Sequence, residues 1–301
     1  MGTLSRPPNG DLLLIVVGVL GVSTSGPLIA ALAVPPLAIA FWRNAFGTAA
    51  LVPYALARHR GELRDLRGRP LWLTLAAGVL LAAHFALWVP SLSFTSVASS
   101  TALVCMQAVW AALFGRLVGH VLPRAGWVGM LLALVGVLLV TGVDFSVSPR
   151  ALLGDVMALL GGVFSGAYVV LGGQIRRSVS TTAYTLVCYG SCAVLLLIAC
   201  LIAGQSLTGY AARDWLLLLA LTVLAQLLGH SVFNLVLRST SPTVVSLAIL
   251  FEVPGAALLA AWWLGQTPPL AALPALILML VGIGIVIRAG TRDTDDVLTA
   301  Q

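Results

Sequence analysis

Long apolar runs, separated by short polar breaks, fill almost the whole of the 301-residue chain. A helix needs about 20 apolar residues to cross the hydrocarbon core of a bilayer, so windows of that length mark candidate membrane spans. Ten such windows are present, at residues 12–33, 37–57, 71–90, 94–115, 122–141, 152–173, 182–203, 214–236, 243–264 and 269–287. The pattern predicts an all-α polytopic membrane protein with ten transmembrane helices.

The composition supports this class and excludes others. Hydrophobic residues make up 60% of the chain and charged residues only 9%, with a mean hydropathy of +1.06. Soluble domains carry about 25% charged residues, so a cytosolic enzyme, a disordered protein and a nucleic-acid binder are all excluded. The four cysteines fall inside apolar segments, where we expect packing groups rather than disulfides or metal ligands.

The loop charges predict the orientation. All 16 basic residues are arginine, because the chain contains no lysine. With a cytoplasmic N-terminus, most of them fall in cytoplasmic loops, above all in the stretch 58–70, and only Arg150 and Arg213 fall in the opposite loops. Cytoplasmic loops carry the excess of positive charge. We therefore predict a multi-pass protein of the cell (plasma) membrane with both termini cytoplasmic.

The chain also contains an internal repeat, offset by about 145 residues. Gly10-Asp11 recurs as Gly154-Asp155, and Gly136 recurs as Gly282. We predict a first five-helix repeat at 1–147, a second at 148–290 and a short polar C-terminal tail at 291–301. Because each repeat has an odd number of spans, the second would enter the membrane in the opposite sense from the first.

Two inverted repeats are typical of secondary transporters, whose substrate site lies near the midplane between the repeats. Duplication also occurs in channels and scaffolds, so a scaffold or a lipid-handling membrane protein remains the alternative. The sequence has no metalloprotease helix, nucleophile elbow, phosphate loop or dinucleotide fingerprint. We therefore expect a protein that is not an enzyme and that needs no cofactor and no metal.

Several motifs resemble those of the drug/metabolite transporter superfamily, specifically the EamA-type transporters with ten helices in two repeats. The matching residues are Phe41-Trp42-Arg43, Ser91 to Ser99, Gly126-Trp127-Val128-Gly129, Leu250 to Pro254 and Gly282 to Val286. The resemblance implies the export of small metabolites, amino acids among them. The chain departs from the family pattern in the fourth span, where it has Gln107-Ala-Val-Trp110 in place of a proline.

Ionisable side chains at membrane depth are costly, and each is therefore a candidate for function. Glu252 lies about ten residues into the ninth span, ~15 Å from its predicted cytoplasmic end, which is too deep for its short side chain to reach the surface. It must be protonated, paired or facing water. It would serve substrate binding or proton coupling, or else bond a backbone carbonyl freed by Pro254.

Arg43 lies nearer the outer end of the second span, roughly 10 Å deep. Its planar guanidinium, with Asn44 beside it, could bind a substrate carboxylate. The alternative is that its long side chain reaches the interface and has no role in transport.

The remaining candidates are polar and aromatic residues inside the predicted spans. His84 and His230 occupy nearly equivalent repeat positions, each with a partner one turn on, Trp88 and Asn234. We expect them to line a cavity, although both histidines could be packing groups and Trp88 could be an interfacial tryptophan. Gln107 aligns with Glu252 across the repeat, and we also include Trp110 and Tyr168.

The sequence as a whole predicts a secondary transporter or facilitator that exports small metabolites by alternating access. Its expected partners are a small-molecule substrate and the lipid bilayer, with a homodimer as an open alternative and no nucleic acid. The candidate residues for substrate binding or coupling are Glu252, Arg43, Asn44, His84, Trp88, Gln107, Trp110, Tyr168, His230 and Asn234.

Overall fold

The computed structural model describes residues 9–117, 123–176, 178–236 and 248–299. The regular elements in these ranges are all helical. They are α1 (Asn9–Ser23), α2 (Ser25–Ala31), α3 (Pro36–Arg58), α4 (Arg60–Asp65), α5 (Gly68–Ser91), α6 (Val97–Val104), α7 (Gln107–Leu117), α8 (Arg124–Val147), α9 (Ala151–Ile175), α10 (Thr181–Ile202), α11 (Ala212–Leu221), a π-helical segment (Thr222–Ser231), α12 (Val232–Val236), α13 (Glu252–Leu264) and α14 (Ala272–Thr299). The predicted all-α class is confirmed.

Seven helical stretches among the described residues are long and apolar enough to cross a membrane. They are Asp11–Ala31, Gly68–Ser91, Val97–Leu117, Arg124–Asp144, Ala151–Ile175, Thr181–Ile202 and Ala212–Ser231. Helix α3 has the length of a span but carries Arg43 and Asn44, and α14 is apolar only over Ala272–Val286. Part of the predicted ninth span lies outside the described residues. The count of ten spans therefore stays a prediction, and α14 continues as a helix into the tail expected at 291–301.

Three of the predicted spans are interrupted. The first is divided at Thr24, whose hydroxyl donates to the carbonyl of Gly21 at 2.7 Å. The fourth is divided at Cys105 and Met106, although it contains no proline at this point. The eighth changes from α- to π-helix at Thr222. Single π-helical turns occur frequently at functional sites, so this segment is a place to look for one.

The helices pack in two groups, and each group combines both halves of the chain. In the first, α9 packs against α5, α6 and α7. In the second, α1 packs against the π-helical segment, α12 and α13. Helices α3 and α10 pack against each other and against α5, and α3 also contacts the π-helical segment. The α3–α10 pair therefore links the two groups, which also meet directly where α6 packs against α13.

Helices α8 and α14 pack closely against each other, and they also contact α9 and α7, respectively. A Cβ atom on Gly282 of α14 would overlap the backbone nitrogen of Ala133 and lie 2.6 Å from the carbonyl oxygen of Gly129, both on α8. Small residues of this kind let membrane helices approach closely. Because the atoms in the way belong to the backbone, a side chain at this position cannot be accommodated by a change of rotamer.

We expect Gly282→Val to lower the free energy of unfolding by about 1–3 kcal/mol or more, because it forces α8 and α14 apart. The measurement is thermal unfolding in detergent. Gly142→Val is the matched control, since a Cβ atom on Gly142 of α8 would meet no atom within 4 Å. Equal melting temperatures for the two variants would show that the close approach of α8 and α14 adds no stability.

Candidate functional site

Arg43 of α3 is completely buried where α3 meets both helix groups. Its Nε donates a hydrogen bond of 2.8 Å to Oε1 of Gln226, in the π-helical segment. Its Nη1 donates a bond of 3.3 Å to Oγ of Ser25, at the start of α2. The guanidinium is thus fixed by neutral partners from two other elements. Arg43 does not lie at the interface, so the alternative that its side chain reaches the membrane surface is wrong.

The rest of the guanidinium has no polar partner. Its Cζ atom lies 4.4 Å from the centre of the Phe85 ring, and its Nη2 is buried without a hydrogen bond. No carboxylate of the described residues lies within 4.0 Å of it. A buried charge that is not paired is costly unless something neutralises it. The arrangement therefore offers an oriented donor to an anionic group.

Asn44 supports this arrangement from the same helix. It is buried, and its Nδ2 donates to the carbonyl of Ala40 at 2.9 Å, which leaves its Oδ1 free to accept. Nε2 of Gln226 donates to that Oδ1 at 3.5 Å. Because Gln226 is hydrogen-bonded to both residues, it lies between Arg43 and Asn44, and it is only 1% exposed. Asn44 acts on Arg43 through Gln226.

The sequence analysis missed Gln226 and selected His230 and Asn234 in the same predicted span. The signal that could have found it is one uncharged amide in an otherwise apolar stretch, four residues before His230. His230 is exposed, and Arg43 and His84 lie within electrostatic range of its imidazole. Asn234 lies outside the side chains that the structure describes.

His84 and Trp88 lie one turn apart on α5, as predicted, and next to Phe85. The imidazole of His84 donates through Nδ1 to the carbonyl of Gly161 at 3.0 Å, because that oxygen can only accept. It stacks on the Trp88 ring at 5.7 Å and 15°. Trp88 is 4% exposed and its Nε1 is a buried donor without a partner. The alternative of an interfacial tryptophan is therefore wrong, and Phe85 brings the His84–Trp88 pair beside Arg43.

Glu252 and Gln107 occupy the same position in their repeats, since each is the first residue of a helix that follows a break. Glu252 is 8% exposed, and its carboxyl group makes no hydrogen bond to the described residues. Gln107 accepts a short hydrogen bond from the hydroxyl of Ser165 on α9. The N-terminal end of a helix carries partial positive charge, so both side chains lie where a negative group is favoured.

Trp110 and Tyr168 each stack on another aromatic side chain. Trp110 stacks on Phe114 at 6.5 Å, and a Cβ atom on Gly166 would meet its side chain. Tyr168 stacks on Tyr184 of α10 at 6.3 Å. The structure thus brings Arg43, His84 and Trp88 together around Phe85, and it joins Asn44 to Arg43 through Gln226. It places Gln107 and Trp110 on α7 against α9. The described residues contain no group of three His, Cys, Asp or Glu side chains that could hold a metal ion.

Comparisons with known proteins bear on the whole chain. The family model for the EamA-like transporter family matches it twice, at residues 9–142 and 152–288. The chain is also similar to a protein of known crystal structure, with 22% sequence identity and a TM-score of 0.66. The alignment covers 93% of this chain and 98% of the other protein. At this level of identity the similarity shows the fold alone. None of the functionally curated proteins matches the chain significantly.

Proposed function

The chain belongs to the EamA-like transporter family of the drug/metabolite transporter superfamily, and we propose that it exports small metabolites such as amino acids by alternating access. In this proposal the substrate binds between the two helix groups, near Arg43. Membership of this family indicates a membrane transporter. The substrate, the direction of transport and the mechanism are our proposal.

One observation supports the proposal above the others: Arg43 is fully buried with no carboxylate of the described residues within 4.0 Å. A structural arginine would be expected to pair with an acidic residue at such a depth. Among the described residues this guanidinium donates hydrogen bonds to Gln226 and Ser25, its Nη2 has no hydrogen bond, and the carboxyl group of Glu252 acts on it only from beyond ion-pair distance. A substrate carboxylate would supply the missing acceptor and the missing negative charge.

The proposal is tested by efflux from sealed vesicles that contain the purified protein and are loaded with a panel of labelled amino acids and related carboxylates. We expect release of at least one compound faster than from protein-free vesicles. Compounds that lack a carboxylate should be released more slowly, since Arg43 would then keep an unpaired charge. No release across the panel would contradict the proposal.

The rival function, a scaffold or lipid-handling protein, predicts no aqueous path to the centre of the bundle. Single-cysteine variants at His84 and Gln107 distinguish the two. A transporter should expose at least one of these positions to a membrane-impermeant thiol reagent in some condition, and substrate should slow that labelling. Labelling from neither face, with or without the loaded compounds, would favour the rival.

We also expect the loop 58–70 and both termini to face the cytoplasm, because the arginines are concentrated there. External protease should therefore leave this loop intact in whole cells and cut it in permeabilised cells. Cleavage in whole cells would reverse the orientation. Arg213 is exposed at the start of α11 on the predicted outer face and provides the matched site, which should be cut in both.

A further inference from the structure

Polar contacts tie α3 to α10 at both ends of the pair. At one end, the segment after α3 meets the start of α10, and at the other the segment after α10 meets the start of α3. Both ties are formed by side chains that accept hydrogen bonds from backbone N–H groups. These two ties are the subject of the inference.

The first tie joins Glu62 of α4 to Ser180, the N-cap of α10. Oε1 of Glu62 accepts from the backbone nitrogen of Ser180 at 2.6 Å, and Oε2 accepts from its hydroxyl, also at 2.6 Å. Nδ1 of His59 lies 3.1 Å from the same Oε2. One carboxylate thus holds the N-cap residue of α10 through two hydrogen bonds and also contacts the imidazole of His59.

Glu62 holds this position as a charged group that water can still reach. Burial raises the pKa of its carboxyl group, but the hydrogen bonds from Ser180 and His59 outweigh this effect and lower the pKa below its usual value. Glu62 is therefore ionised at neutral pH, and its hydrogen bonds are of the stronger, charge-assisted kind. Its side chain is 32% exposed, so water can replace these bonds when the tie opens.

The second tie lies at the other end of the pair. Oε1 of Gln205 accepts from the backbone nitrogen of Leu37 at 3.1 Å, and Oδ1 of Asp214 accepts from that of Ala33 at 3.2 Å. The indole of Trp42 donates to the carbonyl of Leu207 at 3.0 Å. This tie has the same plan as the first, with a neutral amide in place of the carboxylate of Glu62.

The internal repeat relates the two ties. Ser180 precedes α10 as Pro35 precedes α3, and the repeat offset of about 145 carries Glu62 to within two residues of Gln205. In the predicted topology the first tie lies at the cytoplasmic face and the second at the outer face. Between them the pair is closely packed, with Cys188 and Cys192 of α10 both 0% exposed.

We propose that these ties are the two gates of the transporter, with Glu62 closing the cytoplasmic end of the α3–α10 pair and Gln205 with Asp214 closing the outer end. The inference rests on the proposed function, because gates have meaning only for a protein that opens to each side in turn. Each tie can open separately, since its hydrogen bonds can pass to water while the packed middle of the pair stays closed. The structure has both ties formed, which in this proposal is the state with both gates closed.

The native cysteines test the inference without engineered reporters. In sealed vesicles of known orientation, a membrane-impermeant maleimide is added to one face, and the labelling rates of Cys188 and Cys192 are measured by mass spectrometry. Glu62→Ala should raise the rate from the predicted cytoplasmic face roughly tenfold or more, because it removes two hydrogen bonds to a charged group. The rate from the opposite face should fall.

The controls use the same helix and the other tie. Asp65→Ala removes an exposed carboxylate of α4 and should leave both rates unchanged. Gln205→Ala should raise labelling from the outer face instead. Glu62→Gln keeps an acceptor for Ser180 without the charge and should give an intermediate rate, which covers the case in which the alanine variant fails to fold.

Two results would contradict the proposal that the ties are gates. One is an unchanged labelling rate in folded Glu62→Ala and Glu62→Gln variants. The other is an equal rise of the labelling rate from both faces, which would mean that the substitution loosens the packing of the whole protein. Failure of the proposed function gives a different result, since wild-type vesicles would then release no loaded compound whatever the labelling shows. If the wild-type protein shows efflux but the Glu62 variants show unchanged labelling, the proposed gates are wrong and the proposed transport function still holds.

Discussion

Arg43→Met should reduce transport of a carboxylate substrate by roughly 100-fold, equivalent to about 3 kcal/mol of lost binding. The guanidinium places a positive charge 4.4 Å from the Phe85 ring, and its Nη2 has no acceptor among the described residues. Methionine has a similar length and leaves no buried charge. Replacing a buried charged group by an apolar one of similar volume is often neutral for folding, so the variant should still fold. The measurement is initial efflux rate against substrate concentration.

Two further variants separate charge from position. Arg43→Lys keeps a charge but cannot hold Gln226 and Ser25 in the same fork, so its rate should lie between those of the wild type and Arg43→Met. Arg213→Met makes the same substitution at an exposed arginine and should have no effect. An efflux rate in the Arg43→Met variant equal to that of the wild type would show that Arg43 contributes only to structure.

Gln226 positions Arg43, and its removal should act through that residue. Gln226→Leu should weaken apparent substrate affinity by roughly tenfold, the value of one hydrogen bond to a charged group. The maximal rate should change less, because the guanidinium remains present. A combined Gln226→Leu and Arg43→Met variant should be no worse than Arg43→Met alone, a result that two independent structural defects would not give.

Much of the fold was accessible from the sequence because one physical rule dominates it. Apolar runs of about 20 residues must become helices in a bilayer, where each backbone polar group needs an internal partner. This predicts helices such as Gly68–Ser91 and Thr181–Ile202 closely. The repeat offset also predicted the equivalence of Gln107 and Glu252, each of which begins a helix after a break.

The details of the site were less accessible because they depend on contacts distant in sequence. Gln226 and Arg43 are 183 positions apart, and nothing local marks them as partners. The π-helical segment that carries Gln226 has no distinctive sequence either, because its residues also suit an α-helix. The interfacial position considered for Trp88 failed for a similar reason, since α5 packs that side chain against Gly161 of α9.

Glu252→Gln should remove the dependence of transport on a pH gradient while leaving the protein folded. The amide is nearly isosteric and avoids the cost of burying a charge. The carboxyl group makes no hydrogen bond to the described residues and no ion pair with Arg43 within 4.0 Å, so the substitution leaves no described residue without its hydrogen-bond partner. The measurement is efflux with and without an imposed pH gradient, together with thermal unfolding. Asp65→Asn is the matched control at an exposed carboxylate.

Three outcomes of Glu252→Gln have different meanings. Loss of the pH-gradient dependence with surviving substrate exchange supports a coupling role, because an amide cannot take up and release the proton. Unchanged pH-dependent transport rejects coupling at Glu252. An unstable variant that is rescued by Arg43→Met would mean that Glu252 neutralises the charge of Arg43 from beyond ion-pair distance. Proton coupling and substrate binding would then depend on the same pair of charged residues. Burial of Glu252 opposes the charge on its carboxyl group, whereas its position at the start of α13 favours that charge. A carboxyl group under these two opposing effects can both take up and release a proton, so the first outcome is the expected one.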